Sequence, residues 1–250
     1  MKIYMSCHNK IKHYFPVMKK LLLVLIIVVL ALIFSIAVLY TINYLYRRQI
    51  VQNQDQVQIL VFGDSIWDLV RDETGIPKKT ENYLLNSAHI YNCSIMGSAA
   101  AEISDEETRI RPGLTYMTDV LVDRRAFQTE LDIPAIQVFR EVDSEQLDYI
   151  VLAYGLNDYF SAVPISSEDS FDKQTYQGAL SYSIQAIQVE HPEIEIIIVS
   201  PTYCQVYSYG KVVADSYDQD YGGGTGEAYA MAAKEVADKW VSPLLTCFMS

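Results

Sequence analysis

A chain of 250 residues has room for one domain of ordinary size and some accessory sequence, and an apolar share of 50% excludes wholesale disorder. The formal net charge is −12, yet residues 1–50 carry seven basic and no acidic residues, so the remainder stands at −19. A body that acidic repels phosphate backbones, which argues against a nucleic-acid partner.

Residues 1–20 are basic, and the uncharged run "LLLVLIIVVLALIFSIAVLYTI" (21–42) follows. About 20 apolar residues of helix cross a hydrocarbon core of roughly 30 Å. Residues 21–46 are therefore expected to form an uncleaved signal-anchor helix. A buried core helix would rarely stay apolar on every face for so long. A cleaved signal peptide would have a shorter core and a small-x-small site, and "VLYTINYLY" offers none. Tyr40, Tyr44 and Tyr46 fall at the far interface. Lysines precede the span and Arg47 and Arg48 follow it, so the positive-inside bias puts the N-terminus in the cytoplasm and the acidic body outside.

Residues 47–56 read as a polar linker and 57–250 as the folded domain. There, strand-like runs at 57–62, 89–95, 148–154, 193–200 and, weakly, 243–248 alternate with helical patterns. The first, third and fourth runs are apolar on both faces, as a parallel sheet covered on both sides requires. The helices are expected at 78–88, with Thr80 as a cap, at 128–142, interrupted by Pro134, at 173–191, ending at Pro192, and at 226–240. Residues 98–127 show no clean period and read as an insertion. "DYGGGTGE" (220–227) reads as a loop leading into the last helix. This alternation implies a layered α/β fold.

Cysteine chemistry adds little. Cys7 falls on the cytoplasmic side, leaving Cys93, Cys204 and Cys247 as an odd set with no C-x-x-C pair. Cys93 reads as a small buried residue at a strand end. No metal or organic cofactor is implied.

In an open parallel sheet, ligands bind beyond the carboxyl ends of the strands. Three polar clusters fall there: "FGDSIW" after the first strand, "IMGSAA" after the second and "YGLNDYF" after the third. In this order and placement they resemble the SGNH, or GDSL, hydrolases, a family of esterases and deacetylases, over residues 57–248. The resemblance implies a three-layer α/β/α flavodoxin-like sandwich with a mostly parallel five-stranded sheet. It also implies Ser65 as nucleophile, with the backbone N–H of Gly97 and the side-chain amide of Asn157 as oxyanion donors. Chemistry suits those roles, since charge developing on an attacked carbonyl needs donors already in place. Asp64 and Asp158 are expected to organise their loops rather than to move protons.

One part is missing from the pattern. The family places an Asp-x-x-His after the fifth strand, and no such motif occurs here. His8 and His13 precede the apolar run, His89 opens the second strand, and His191 ends a helix. The expectation is a C-terminally incomplete chain, with a family member that has lost its chemistry as the alternative, impaired in either case for want of its base. The expected function is an extracytoplasmic serine esterase or deacetylase acting on small acyl esters, including acetylated carbohydrate. A non-catalytic carbohydrate-binding module, with stacking tyrosines in "YGLNDYF" and "PTYCQVYSYG" (201–210), and an O-acyltransferase are the alternatives.

Overall fold

The computed structural model describes residues 20, 22–44, 56–85, 87–104, 111–127, 133–240 and 242–247. The expected cytoplasmic segment, apart from Lys20, and nearly all of the linker lie outside these residues, as do Cys7, His8, His13 and positions 128–132. The chain divides into two units, Met1–Gln54 and Asp55–Ser250.

In the first unit, α1 (Leu22–Tyr44) is a 23-residue helix of mean hydropathy 3.5 with none of its length buried. It is long and apolar enough to cross a membrane. Its two aliphatic hydroxyls, Ser35 and Thr41, donate to the carbonyls four residues back, Ala31 and Ala37, each at 2.9 Å. Satisfying polar atoms within the helix is what a hydrocarbon surrounding demands.

The second unit is built on a parallel sheet of order β2-β1-β3-β4-β7, from β1 (Val57–Gly63), β2 (Ala88–Asn92), β3 (Tyr149–Ala153), β4 (Glu195–Val199) and β7 (Leu244–Leu245). Residues alternate across it. Leu60, Phe62, Ile150, Leu152, Ile196 and Ile198 face the main core. Val61, Ile90, Val151, Ala153 and Val199 form a smaller cluster on the other face, with Trp67 packed against it. The helices are α2 (Ser65–Asp68), α3 (Ile76–Tyr83), α4 (Leu114–Leu121), α5 (Pro134–Phe139), α6 (Leu156–Phe160), α7 (Tyr176–Glu190) and α8 (Gly226–Trp240). Helices α4, α5, α7 and α8 bury their apolar residues in the main core.

The strands and the last helix fall where the sequence places them, three readings need correction, and one element is new. Thr80 is not a cap. Helix α3 starts after Gly75 with Pro77 in its first turn, and the Thr80 hydroxyl donates to Ile76 O at 2.9 Å inside the helix. Pro134 opens α5 rather than interrupting it, because a proline's missing N–H costs nothing at a first helical position. The supposed insertion 98–127 contains α4, in which seven of eight residues are buried. At eight residues it makes only about two turns, too few for a helical period to stand out in the sequence. Finally, "QVYS" and "KVVAD" pair as an antiparallel hairpin, β5 (Gln205–Ser208) with β6 (Lys211–Asp215), turning through Tyr209 and Gly210 at φ +48° and +76°.

Leu152, fully buried at the centre of β3, is expected to cost about 2–5 kcal/mol on substitution by alanine, through lost transfer energy and the cavity left. Equilibrium urea unfolding followed by circular dichroism would read this as a lowered midpoint.

Candidate active site

All three polar clusters stand at the carboxyl edge of the sheet. Strand β1 ends at Gly63, and Asp64 then caps α2 in extended conformation, accepting from Ile66 N at 2.9 Å. Ser65 is thus the first residue of a helical turn, half-buried, with its N–H among the unpaired donors of that terminus. The Gly63 carbonyl faces the second cluster, accepting from Ile95 N at 2.9 Å and Ser98 Oγ at 3.2 Å. The first cluster is in this way tied directly to the second.

The second and third clusters are tied more firmly still. Asn157 Nδ2 donates to Ser98 O at 2.8 Å, which leaves its other amide hydrogen to point elsewhere. Asp158, wholly buried, accepts from Ala100 N and Ala101 N, both at 2.9 Å. Gly97 turns the chain between them at φ +79°, a conformation that disfavours any side chain, and a Cβ there would meet Arg111 at 3.1 Å. Gly155, at φ +131°, lets the chain leave β3, where a Cβ would crowd the Tyr176 hydroxyl at 2.8 Å. Ser65, Gly97 and Asn157 therefore sit on three segments locked together by hydrogen bonds, and Asp64 and Asp158 do organise loops, as expected.

Among the described residues no general base joins them, and no carboxylate or imidazole is hydrogen-bonded to the Ser65 hydroxyl. His89 pairs in register with Gln58 near the start of β1, and His191 caps α7 before β4 begins, so both stand at the opposite edge of the sheet. Their nearest acids are Glu81, 3.2 Å from His89 Nδ1, and Glu193, 3.8 Å from His191 Nδ1. Beside α2 lies a cavity of about 280 Å³ with a mostly apolar lining. Asp64, Ile66 and Trp67 form one wall, and Ser200, Pro201 and Cys247 contribute to the rest. No group of three or more metal-ligating side chains occurs among the described residues.

The sheet order and its loop-borne polar edge define a flavodoxin-like α/β/α sandwich. The chain's Gly-Asp-Ser and Gly-x-Asn-Asp segments stand at the ends of β1 and β3. Sequence comparison matches no family model and no curated protein. Among solved structures, a possible lipase from Chitinophaga pinensis is 18% identical with a TM-score of 0.54, over 78% of this chain and 69% of that one. The SGNH-hydrolase family esterase AlinE4 is 17% identical with a TM-score of 0.44, over 77% and 76%. A carbohydrate acetylesterase family member from Sinorhizobium meliloti is 19% identical with a TM-score of 0.45, over 76% and 83%. At such identities the first likeness speaks to the fold alone, and the other two scores carry no argument.

Burial pushes the carboxyls of Asp64 and Asp158 up to about 6 each, against the backbone donors that favour their ionised forms. A raised folded-state value means the folded chain holds extra protons between about pH 4 and pH 6, so these groups make stability fall as pH rises through that window. Urea midpoints are expected to be higher at pH 5 than at pH 7.5, with the difference reduced in Asp64→Asn and Asp158→Asn. Equal pH dependence in all three proteins would contradict the assignment.

Proposed function

We propose that this chain is a serine ester hydrolase of the SGNH type, with Ser65 as its nucleophile. The observation carrying the reading is the hydrogen-bonded convergence of the Ser65, Gly97 and Asn157 segments at one edge of the sheet. Ser65 Oγ would form a bond to the acyl carbon as its proton passes to a base. The N–H groups of Ser65 and Gly97 and the Asn157 amide would meet the charge on the carbonyl oxygen. Collapse of that intermediate breaks the ester C–O bond and releases the alcohol with a proton returned from the base. Water then attacks the acyl-serine by the same route.

The substrate is a small acyl ester, including acetyl groups on carbohydrate. A neighbouring apolar cavity of about 280 Å³ supports a short acyl chain. The apolar length of α1 supports a membrane-anchored chain with its hydrolase unit outside the cytoplasm, as does the basic N-terminal segment. Turnover is impaired in the chain as it stands, since a serine hydroxyl is a poor nucleophile without a neighbouring base and the described residues supply none.

Imidazole added in solution is therefore expected to accelerate hydrolysis of p-nitrophenyl acetate beyond its own background rate. Ser65→Ala should return the rate to that background. Asn157→Ala, removing one oxyanion donor, should lower the protein-dependent part about 10²–10³-fold. A protein-dependent rate that persists unchanged in Ser65→Ala would refute the proposal.

A carbohydrate-binding role without catalysis is the second reading. It is favoured by one observation, the exposure of Tyr207 and Tyr209 on the β5–β6 hairpin, where flat rings are open to stack on sugars. Binding of a glycan by a chain that shows no imidazole-dependent hydrolysis would select it.

A further inference from the structure

Helix α2 is only four residues long, yet it is bound to the segment that carries Gly97 by a set of contacts no motif announces. Asp68 Oδ2 accepts from Met96 N at 2.6 Å. Its other oxygen, Oδ1, receives Arg71 Nε at 2.6 Å. The same guanidinium donates through Nη1 to Asn92 O at 3.0 Å and through Nη2 to Ser94 O at 2.7 Å. Asn92 returns the connection, donating from Nδ2 to Trp67 O at 2.9 Å and accepting from Ser94 N at 3.2 Å. Residues 92, 94 and 96 are thus each joined to α2 or to the turn just after it.

We infer that Asp68 and Arg71 are positioning residues that hold the Gly97 N–H in register with Ser65, an inference that rests on the Ser65 reading above. Two features carry it. First, Ser65 and Asp68 belong to one helical turn, closed by Asp68 N to Asp64 O at 3.1 Å and Leu69 N to Ser65 O at 2.9 Å. The nucleophile and the anchor for Met96 therefore move as one body. Second, the Met96 N–H is one residue from the peptide plane that carries the Gly97 N–H. Fixing Met96, with Gly97 held at φ +79°, leaves that plane little freedom. Arginine is needed because two carbonyls and a carboxylate are met by one planar fork, which an ammonium cannot reproduce.

A purely structural ion pair would behave differently. The Asp68 and Arg71 side chains are 19% and 25% exposed, so water still reaches the pair and its loss costs less than that of a fully buried one. Their loss should be felt in the placement of an oxyanion donor rather than in the melting temperature.

The test uses the full chain and its Asp68→Ala, Asp68→Asn and Arg71→Lys variants, with imidazole-dependent hydrolysis of p-nitrophenyl acetate and binding of phenylboronic acid. The boronic acid becomes tetrahedral when the Ser65 oxygen adds to it, so its affinity reports the oxyanion geometry. Asp68→Ala is expected to lower kcat about 10-fold or more, as a misplaced donor should, with KM within about twofold. The boronate affinity should fall by the same factor, and the melting temperature by no more than a few degrees. Asp68→Asn, which keeps an acceptor for Met96 N, should recover part of the loss, and Arg71→Lys should fall between. Variants that match the wild type in kcat and boronate affinity would overturn the clamp while leaving Ser65 standing. So would a loss that tracks a large drop in melting temperature. A wild-type chain indistinguishable from Ser65→Ala in both assays would overturn the Ser65 reading, and the clamp with it.

Discussion

A carboxylate with no access to water holds the polar edge of this sheet together. Asp158 sits one residue after Asn157 and accepts two consecutive backbone N–H groups, those of Ala100 and Ala101, from a segment nearly sixty residues earlier. An ionised carboxyl in such a place is costly unless its lone pairs are filled, and burial accordingly raises its pKa to about 6. Once those two bonds form, the second cluster cannot drift from the third. Asn157 can then reach Ser98 O, and Ser98 can in turn reach the Gly63 carbonyl below the nucleophile. The convergence of Ser65, Gly97 and Asn157 follows from this chain of contacts rather than from any one residue.

Strand direction sets the rest of the chemistry. In a parallel sheet every strand delivers its following loop to the same edge, which is why three clusters distant in number become neighbours. The same rule disposes of the histidines. His89 lies early in β2 and His191 lies before β4, so the sheet carries them to the far edge as surely as it carries Ser65 to the near one. Proton transfer acts only within hydrogen-bond reach or through one water, so neither imidazole can serve Ser65. The segments carrying Ser65, Gly97 and Asn157 are therefore held together, while no base reaches Ser65 among the described residues. That imbalance shapes both readings of its function.

The two faces of the sheet are unequal. The main core fills the space beneath four helices with large side chains, including Tyr116, Tyr154, Tyr159, Tyr176 and Tyr229, all fully buried. Three of these close the interior with hydrogen bonds to backbone carbonyls, Tyr159 to Gln219 O at 2.9 Å, Tyr176 to Tyr154 O at 3.0 Å and Tyr229 to Val163 O. The opposite face has a small apolar cluster with Trp67 against it, and the cavity beside α2 opens there. The many tyrosines of this chain thus divide by place, some as core filler and others, such as Tyr207 and Tyr209, as open surface.

The sequence by itself determined the apolar helix, the positions of the sheet strands and the last long helix, because each is written locally: a long uncharged run, short runs apolar on both faces, or alanine-rich helical spacing. It also determined the three polar clusters, since a turn of Gly, Asp and Ser at the end of an apolar run is a local signal. Tertiary structure alone decided what depends on enclosure or distance. Helix α4 was illegible because its eight residues make about two turns, shorter than the stretch over which a helical period can be read. The β5–β6 hairpin was illegible because its strands of four and five residues are mostly exposed, so no buried face writes an apolar alternation into them. The Asp68–Arg71 contacts join residues more than twenty positions apart, and side chains that meet only after folding leave no spacing rule in the chain.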